Sequence, residues 1–187
     1  MNAPMPTVIV LASGRGERFA ASGGTLHKLA ALLAGRPLIE HTLAAVRASG
    51  LPWHLEDAGH PGMGDSIAAA VRATLDAAGW LMLPADLPLV RPETLRQVAA
   101  ALVAPLQAVQ PHYRGTRGHP VAFAASCRDA LLALEGNRGA APVLLALRAI
   151  NLVVDIEVDD VGVVTDIDTL DDLASAEALF FALNRGG

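Results

Sequence analysis

The residues able to do chemistry fall into three short stretches. The first, Leu11-Ala12-Ser13-Gly14-Arg15-Gly16-Glu17-Arg18-Phe19, directly follows the apolar run Thr7-Val8-Ile9-Val10-Leu11. Small residues there let backbone N–H groups close on phosphate oxygens, while Arg15 and Arg18 add charge. The loop is not G-x-G-x-x-G, because Phe19 fills the last glycine position, and no Gly-Lys-Ser/Thr follows. A plain strand-to-helix turn is the competing reading. Lys28, next along, is the one lysine among 14 lysines and arginines. Its compact ammonium, rather than a planar fork, could neutralise a triphosphate. The second stretch is Asp86, after the apolar run Trp80-Leu81-Met82-Leu83 and between Pro84 and Pro88. A carboxylate at the end of a strand, close to the first loop, suits Mg²⁺ shared with phosphate oxygens. The third is Asp166-Ile167-Asp168, whose two carboxylates could point to one side. Asp168 also fits an N-cap before Thr169-Leu170-Asp171, with Asp171 at N3. We therefore expect Asp168 to cap and Asp166 to be the second metal ligand.

Other candidates carry weaker signals. Gly62-Met63-Gly64-Asp65-Ser66 precedes a helical pattern that Asp65 or Ser66 could cap. In the turn Arg117-Gly118-His119-Pro120, only His119 suggests a substrate contact. His27, His41, His54 and His112 lack metal-ligand spacing, and Cys127 suits packing. Asp155, Glu157, Asp159 and Asp160 read as a solvated strand edge and turn.

Short β-rich runs alternating with longer helical patterns must hold these residues in place. Strands are expected at 7–11, 51–56, 80–83, 107–111, 119–123, 153–158 and 163–164. Helices are expected at 37–48, 65–78, 92–103, 126–134, 141–149 and 170–183. The helix at 37–48 carries a stripe of Leu38, Thr42, Leu43, Ala45 and Val46 with Pro37 at N1, and Gly79 closes the one at 65–78. Such alternation predicts an α/β domain on a mostly parallel sheet, where ligands sit at the carboxyl ends of strands.

Composition narrows the class. In 187 residues, 52% are hydrophobic and 18% charged, which excludes a disordered chain. A net charge of −5 gives no basic face for nucleic acid. No apolar run approaches the ~20 residues of a membrane span. The single Cys127 makes neither an internal disulfide nor a zinc cluster. The expectation is one soluble cytoplasmic domain over 1–187.

Taken together, Leu11-Ala12-Ser13-Gly14, Arg18, Lys28-Leu29 and Gly35-Arg36-Pro37-Leu38 resemble the opening of the MobA-like nucleotidyltransferases. The likeness continues through Gly62-Met63-Gly64-Asp65-Ser66-Ile67, Leu83-Pro84-Ala85-Asp86-Leu87-Pro88, Arg117-Gly118-His119-Pro120-Val121 and Gly136-Asn137-Arg138-Gly139-Ala140. It ends on Asp166-Ile167-Asp168-Thr169-Leu170-Asp171-Asp172-Leu173. The Gly-His-Pro-Val and Asp-Ile-Asp-Thr blocks are most similar to the molybdenum cofactor cytidylyltransferases. That resemblance implies a Rossmann-like nucleotidyltransferase fold with one antiparallel strand and helices on both faces. It implies Mg²⁺-dependent transfer of CMP from CTP to a molybdopterin-type acceptor, releasing pyrophosphate. Arg18, Lys28 and Asp86 would be catalytic, and Asp86 and Asp166 would bind the metal. Leu11, Ala12, Ser13, Gly14, Arg15, Gly16, Gly64, Asp65 and Ser66 would bind nucleotide, and His119 the acceptor. A molybdoenzyme or maturation factor is an implied partner. Guanylyl or sugar-phosphate transfer is one alternative, although Ser13 stands where guanylyl branches carry glycine. A non-catalytic nucleotide or pterin carrier is the other. The chain departs from the family in a longer Arg18–Lys28 spacer, a shorter 51–61 stretch and an altered 136–141 block.

Overall fold

The computed structural model describes residues 5–14, 16–25 and 27–185. Its main sheet begins with β1 (Thr7–Leu11), buried at every position and flanked by β4 (Trp53–Glu56) and β5 (Gly79–Pro84), both parallel to it. Next comes β8 (Val121–Ala124), antiparallel to β5 and to β6 (Ala108–Tyr113). The short β7 (Thr116–Arg117) also runs against β6, and β9 (Val153–Glu157) pairs parallel along its other edge. The sheet is thus mostly parallel, with β8 the main reversal, as expected. A two-stranded ribbon of β2 (Leu32–Leu33) and β3 (Arg36–Pro37) lies apart.

Alternation along the strands builds two cores. Val8 and Val10 on β1, with Leu81 and Leu83 on β5, face α2 (Leu38–Ser49) and α4 (Pro92–Ala101). Ile9 and Leu11, with Trp80 and Met82, face α3 (Met63–Ala73), α5 (Arg128–Leu132) and α6 (Ala141–Ala149). Each fully buried Leu, Ile or Val there contributes roughly 1.5–3 kcal/mol of transfer free energy. A third cluster joins Phe19 of α1 (Glu17–Ala21), Leu33, Leu38, Leu89, Ile167 and Ala176 of α7 (Leu170–Asn184). This last core ties the first loop to the Asp166–Asp168 segment.

Several expected boundaries move. Helix α3 stops at Ala73, and Gly79 starts β5 instead of closing the helix. Pro37 is the N-cap of α2 rather than the N1 residue expected. Residues Val161–Val164 form a 3-10 turn, not a strand. In that turn the Val163 carbonyl accepts from the His119 N–H at 2.9 Å. Asp160 is 3% exposed, contrary to the solvated turn expected of it. Its carboxylate accepts from the Gly162 and Arg91 amides, both at 2.9 Å, and from Thr94 Oγ1 at 2.6 Å. No helix among the described residues is long and apolar enough to cross a membrane.

Candidate active site

The carboxyl ends of β1 and β5 open into a cleft of about 720 Å³. Backbone pairing sets its floor: the Ala85 amide donates to Leu11 O at 3.0 Å, and the Ile167 amide to Asp86 O at 3.1 Å. Thr42 Oγ1 donates to Ala85 O at 2.9 Å, so α2 also braces the turn carrying Asp86. Ile167 is fully buried, and the alternating backbone leaves Asp166 and Asp168 on the cleft side.

The cleft holds a chain of charges. Lys28 Nζ donates to Asp86 Oδ2 at 2.6 Å and to Asp168 Oδ1 at 3.1 Å. Arg18 Nη1 lies 2.6 Å from Asp168 Oδ2. The two cations differ in freedom, since the Arg18 side chain is 77% exposed and that of Lys28 only 11%. Burial alone would lower the Lys28 pKa, but the Asp86 and Asp168 charges and hydrogen bonds outweigh it and raise the value above 10.5.

Two buried side-chain atoms among the described residues lack a hydrogen-bond partner, Asp86 Oδ1 and His119 Nδ1, and both residues line this cleft. Desolvation holds the His119 pKa below 6.5, although a Met82 backbone hydrogen bond and the Asp86 and Asp166 charges oppose it. Burial thus disfavours the charged imidazolium, and one ring nitrogen is left without a partner. Unmet buried acceptors of this kind are costly unless a ligand supplies donors or a cation.

Of the residues expected here, Ser13, Gly14, Gly16, Arg18, Lys28, Ser66, Asp86, His119 and Asp166 line the cleft. Ser13 Oγ and Ser66 Oγ are 2.6 Å apart, joining the first loop to α3. Gly16 adopts φ 64°, a left-handed turn that brings the loop against Lys28. Leu11, Ala12, Gly64 and Asp65 are not among the lining residues. Leu11 O and Ala12 N are spent on Ala85 and Glu56. Gly64 packs on the Glu135 backbone, and Asp65 Oδ2 accepts from the Gly136 amide at 3.0 Å. Neither Asp65 nor Ser66 caps α3, whose N-cap is Gly62. Arg15 lies outside the described residues.

Asp168 is the main correction. The N-cap of α7 is Thr169, whose capping box closes with Asp172 rather than Asp171. That frees the Asp168 carboxylate to bridge Lys28 and Arg18. The pattern Thr169-x-x-Asp172 was readable in the sequence, one residue out of phase with Asp168-x-x-Asp171. Thr116, Arg117 and Asn137 also line the cleft; Arg117 and Asn137 fall inside the Arg117–Val121 and Gly136–Ala140 blocks, but nothing in those blocks assigned either side chain a role.

A family model described as MobA-like NTP transferase domain matches residues 44–150. The bifunctional protein GlmU of Xanthomonas campestris pv. campestris is 31% identical over 117 residues, which cover 50% of this chain and 25% of that protein. The chain thus spans about a quarter of the length of the curated relatives it matches. A solved nucleotidyl transferase from Methanothermobacter superposes with a TM-score of 0.75 at 23% identity, covering 97% of this chain and 100% of that one. The molybdopterin-guanine dinucleotide biosynthesis protein A of Archaeoglobus fulgidus gives 0.64 at 22%, covering 94% and 99%. A CMP:2-keto-3-deoxy-manno-octonic acid synthetase complexed with CTP gives 0.66 at 14%, covering 96% and 99%. At these identities the solved structures establish a shared fold.

Proposed function

The chain belongs to the MobA-like NTP transferase domain family, and on that premise we propose that it is a Mg²⁺-dependent nucleotidyltransferase moving CMP from CTP to a molybdopterin-type phosphate. The observation that carries this reading is the contact of Lys28 Nζ with Asp86 Oδ2 at 2.6 Å inside the glycine-bordered cleft, with Asp86 Oδ1 left bare. A buried carboxylate oxygen without a donor fits a hard divalent cation that prefers oxygen ligands, such as Mg²⁺. Asp86 and Asp166 would hold it. Asp168, which shares Lys28 with Asp86, is a second candidate for the Asp166 place. The metal would supply neutralisation of charge on the phosphates.

The rest is positioning by this chain's own residues. The Ser13–Gly14 backbone and Gly16 cradle the phosphates, and Lys28 and Arg18 hold their charge. His119 meets the acceptor, whose phosphate oxygen attacks the α-phosphorus. A new P–O bond forms there, the α–β bridging bond breaks, and its electron pair leaves with pyrophosphate. An anionic acceptor needs no base to deprotonate it.

Pyrophosphate release should be followed with CTP, GTP, ATP and UTP in turn, with Mg²⁺ and reduced molybdopterin. Fastest release with CTP is expected. Preference for another nucleotide would favour guanylyl or sugar-phosphate transfer. Nucleotide binding without release under every condition would overturn the enzyme reading and leave a carrier. Support for the carrier is the departure at 136–141, which removes the aspartate and final arginine of the family block.

A further inference from the structure

We infer that Lys28 is the resident counter-ion of the carboxylate cluster, and that a divalent cation gains these carboxylates only as the ammonium moves onto a triphosphate. The triphosphate half rests on the function proposed above; the ammonium's hold on the carboxylates does not. Every contact that matters is short. Asp86 Oδ2 and Asp168 Oδ1 are both taken by one ammonium, at 2.6 and 3.1 Å. The other oxygen of Asp168 is taken by Arg18 at 2.6 Å. Of the four oxygens of these two carboxylates, Asp86 Oδ1 is the one left without a partner among the described residues.

A dication reaching Asp86 without nucleotide therefore meets a positive charge already seated on the same carboxyl group. That charge is poorly screened, since the Lys28 side chain is 11% exposed. Its backbone lies close against the first loop. Lys28 begins a 3-10 turn, and its Cβ would stand 3.1 Å from a Cβ placed on Gly16. The side chain, in contrast, is an unbranched stem ending in three rotatable donors, so it can exchange carboxylates for phosphate oxygens without backbone movement. Linkage then requires that nucleotide strengthen metal binding and that metal strengthen nucleotide binding by the same factor. This coupling adds to whatever pairing the two have in free solution. It would keep the site from filling with a cation and no substrate.

The probe is Mn²⁺ alone, with free ion counted by electron paramagnetic resonance and no nucleotide present. Lys28→Gln should bind Mn²⁺ about tenfold or more tighter than the unmodified chain. Lys28→Arg, which keeps the charge, should not. In chelator, Lys28→Gln should melt lower than the unmodified chain and recover with Mn²⁺, because carboxylates left facing one another regain a counter-ion. Adding Asp86→Asn to Lys28→Gln should abolish the gain. The inference falls if Lys28→Gln binds Mn²⁺ no tighter, if Lys28→Arg gains as much, or if the gain survives Asp86→Asn. Titration of the unmodified chain with CTP and Mg²⁺ separates the two ideas. Failure of any nucleotide to bind there sinks the nucleotidyltransferase reading, while the Mn²⁺ comparison still decides the counter-ion role of Lys28.

Discussion

Asp86 and His119 differ from the other polar side chains of the cleft in having a buried atom with nothing to bind. Folding tolerates such atoms where a ligand later satisfies them. For Asp86 the expected consequence is catalytic. Asp86→Ala should leave the fold intact and slow pyrophosphate release by about two to three orders of magnitude, the scale of removing one strong electrostatic stabiliser. Circular dichroism checks the fold and single-turnover kinetics the rate; near-normal turnover would remove Asp86 from the mechanism. For His119 the consequence is pH dependence. Desolvation holds its folded pKa below 6.5, so the folded chain stays neutral where the unfolded chain takes up a proton. The contribution is complete above about pH 6.5 and is lost as pH falls toward the depressed value, at no more than about 1.4 kcal/mol per pH unit. Urea unfolding of the unmodified chain should therefore weaken more steeply from pH 7 to 5 than that of His119→Gln. Parallel pH profiles would show that His119 is not the group responsible.

Among the elements, those set by local rules were legible and those set by distant partners were not. The run Thr7–Leu11 is apolar throughout because β1 is covered on both faces, and that reads directly as a central parallel strand. The β-branched pair Val163-Val164 reads as a strand for the same reason, yet it turns. Asp160, 69 positions from Arg91, clamps the start of that segment, and no local pattern encodes such a clamp. Asp168 failed differently, because two overlapping capping patterns differ by one residue and only tertiary contact with Lys28 and Arg18 chooses between them. The start of α3 depends on an approach equally invisible in sequence. A Cβ on Gly64 would stand 2.6 Å from Glu135 O and 2.7 Å from Glu135 C, both backbone atoms unable to give way cheaply. Gly64→Ala should cost about 1–3 kcal/mol by overpacking. It should also displace the loop that carries Asn137 into the cleft. The urea midpoint measures the first effect and acceptor affinity the second; an unchanged midpoint would mean that the loop is free to move away.

For the molecule as a whole, the third core connects chemistry to stability. Phe19 lies at the end of the first loop, Ile167 lies between Asp166 and Asp168, and Ala176 lies on the closing helix; all three share one apolar cluster. Family motifs located the first two segments, but a likeness of short blocks does not say that one core holds both. Ile167 is fully buried, and its amide binds the carbonyl of Asp86, so a single residue aligns the carboxylates of two loops. Ile167→Ala should lose about 2–5 kcal/mol from the cavity it leaves, and Ile167→Val only about 0.5–1.5 kcal/mol. If that core positions the site, nucleotide affinity should fall in the same order, because the two flanking carboxylates, and the Lys28 that Asp168 shares with Asp86, lose their fixed spacing. Equilibrium unfolding and a CTP–Mg²⁺ titration on both variants test the two halves together. A destabilised Ile167→Ala that binds nucleotide as well as the unmodified chain would mean that the β1 and β5 ends hold the site without help from the closing helix.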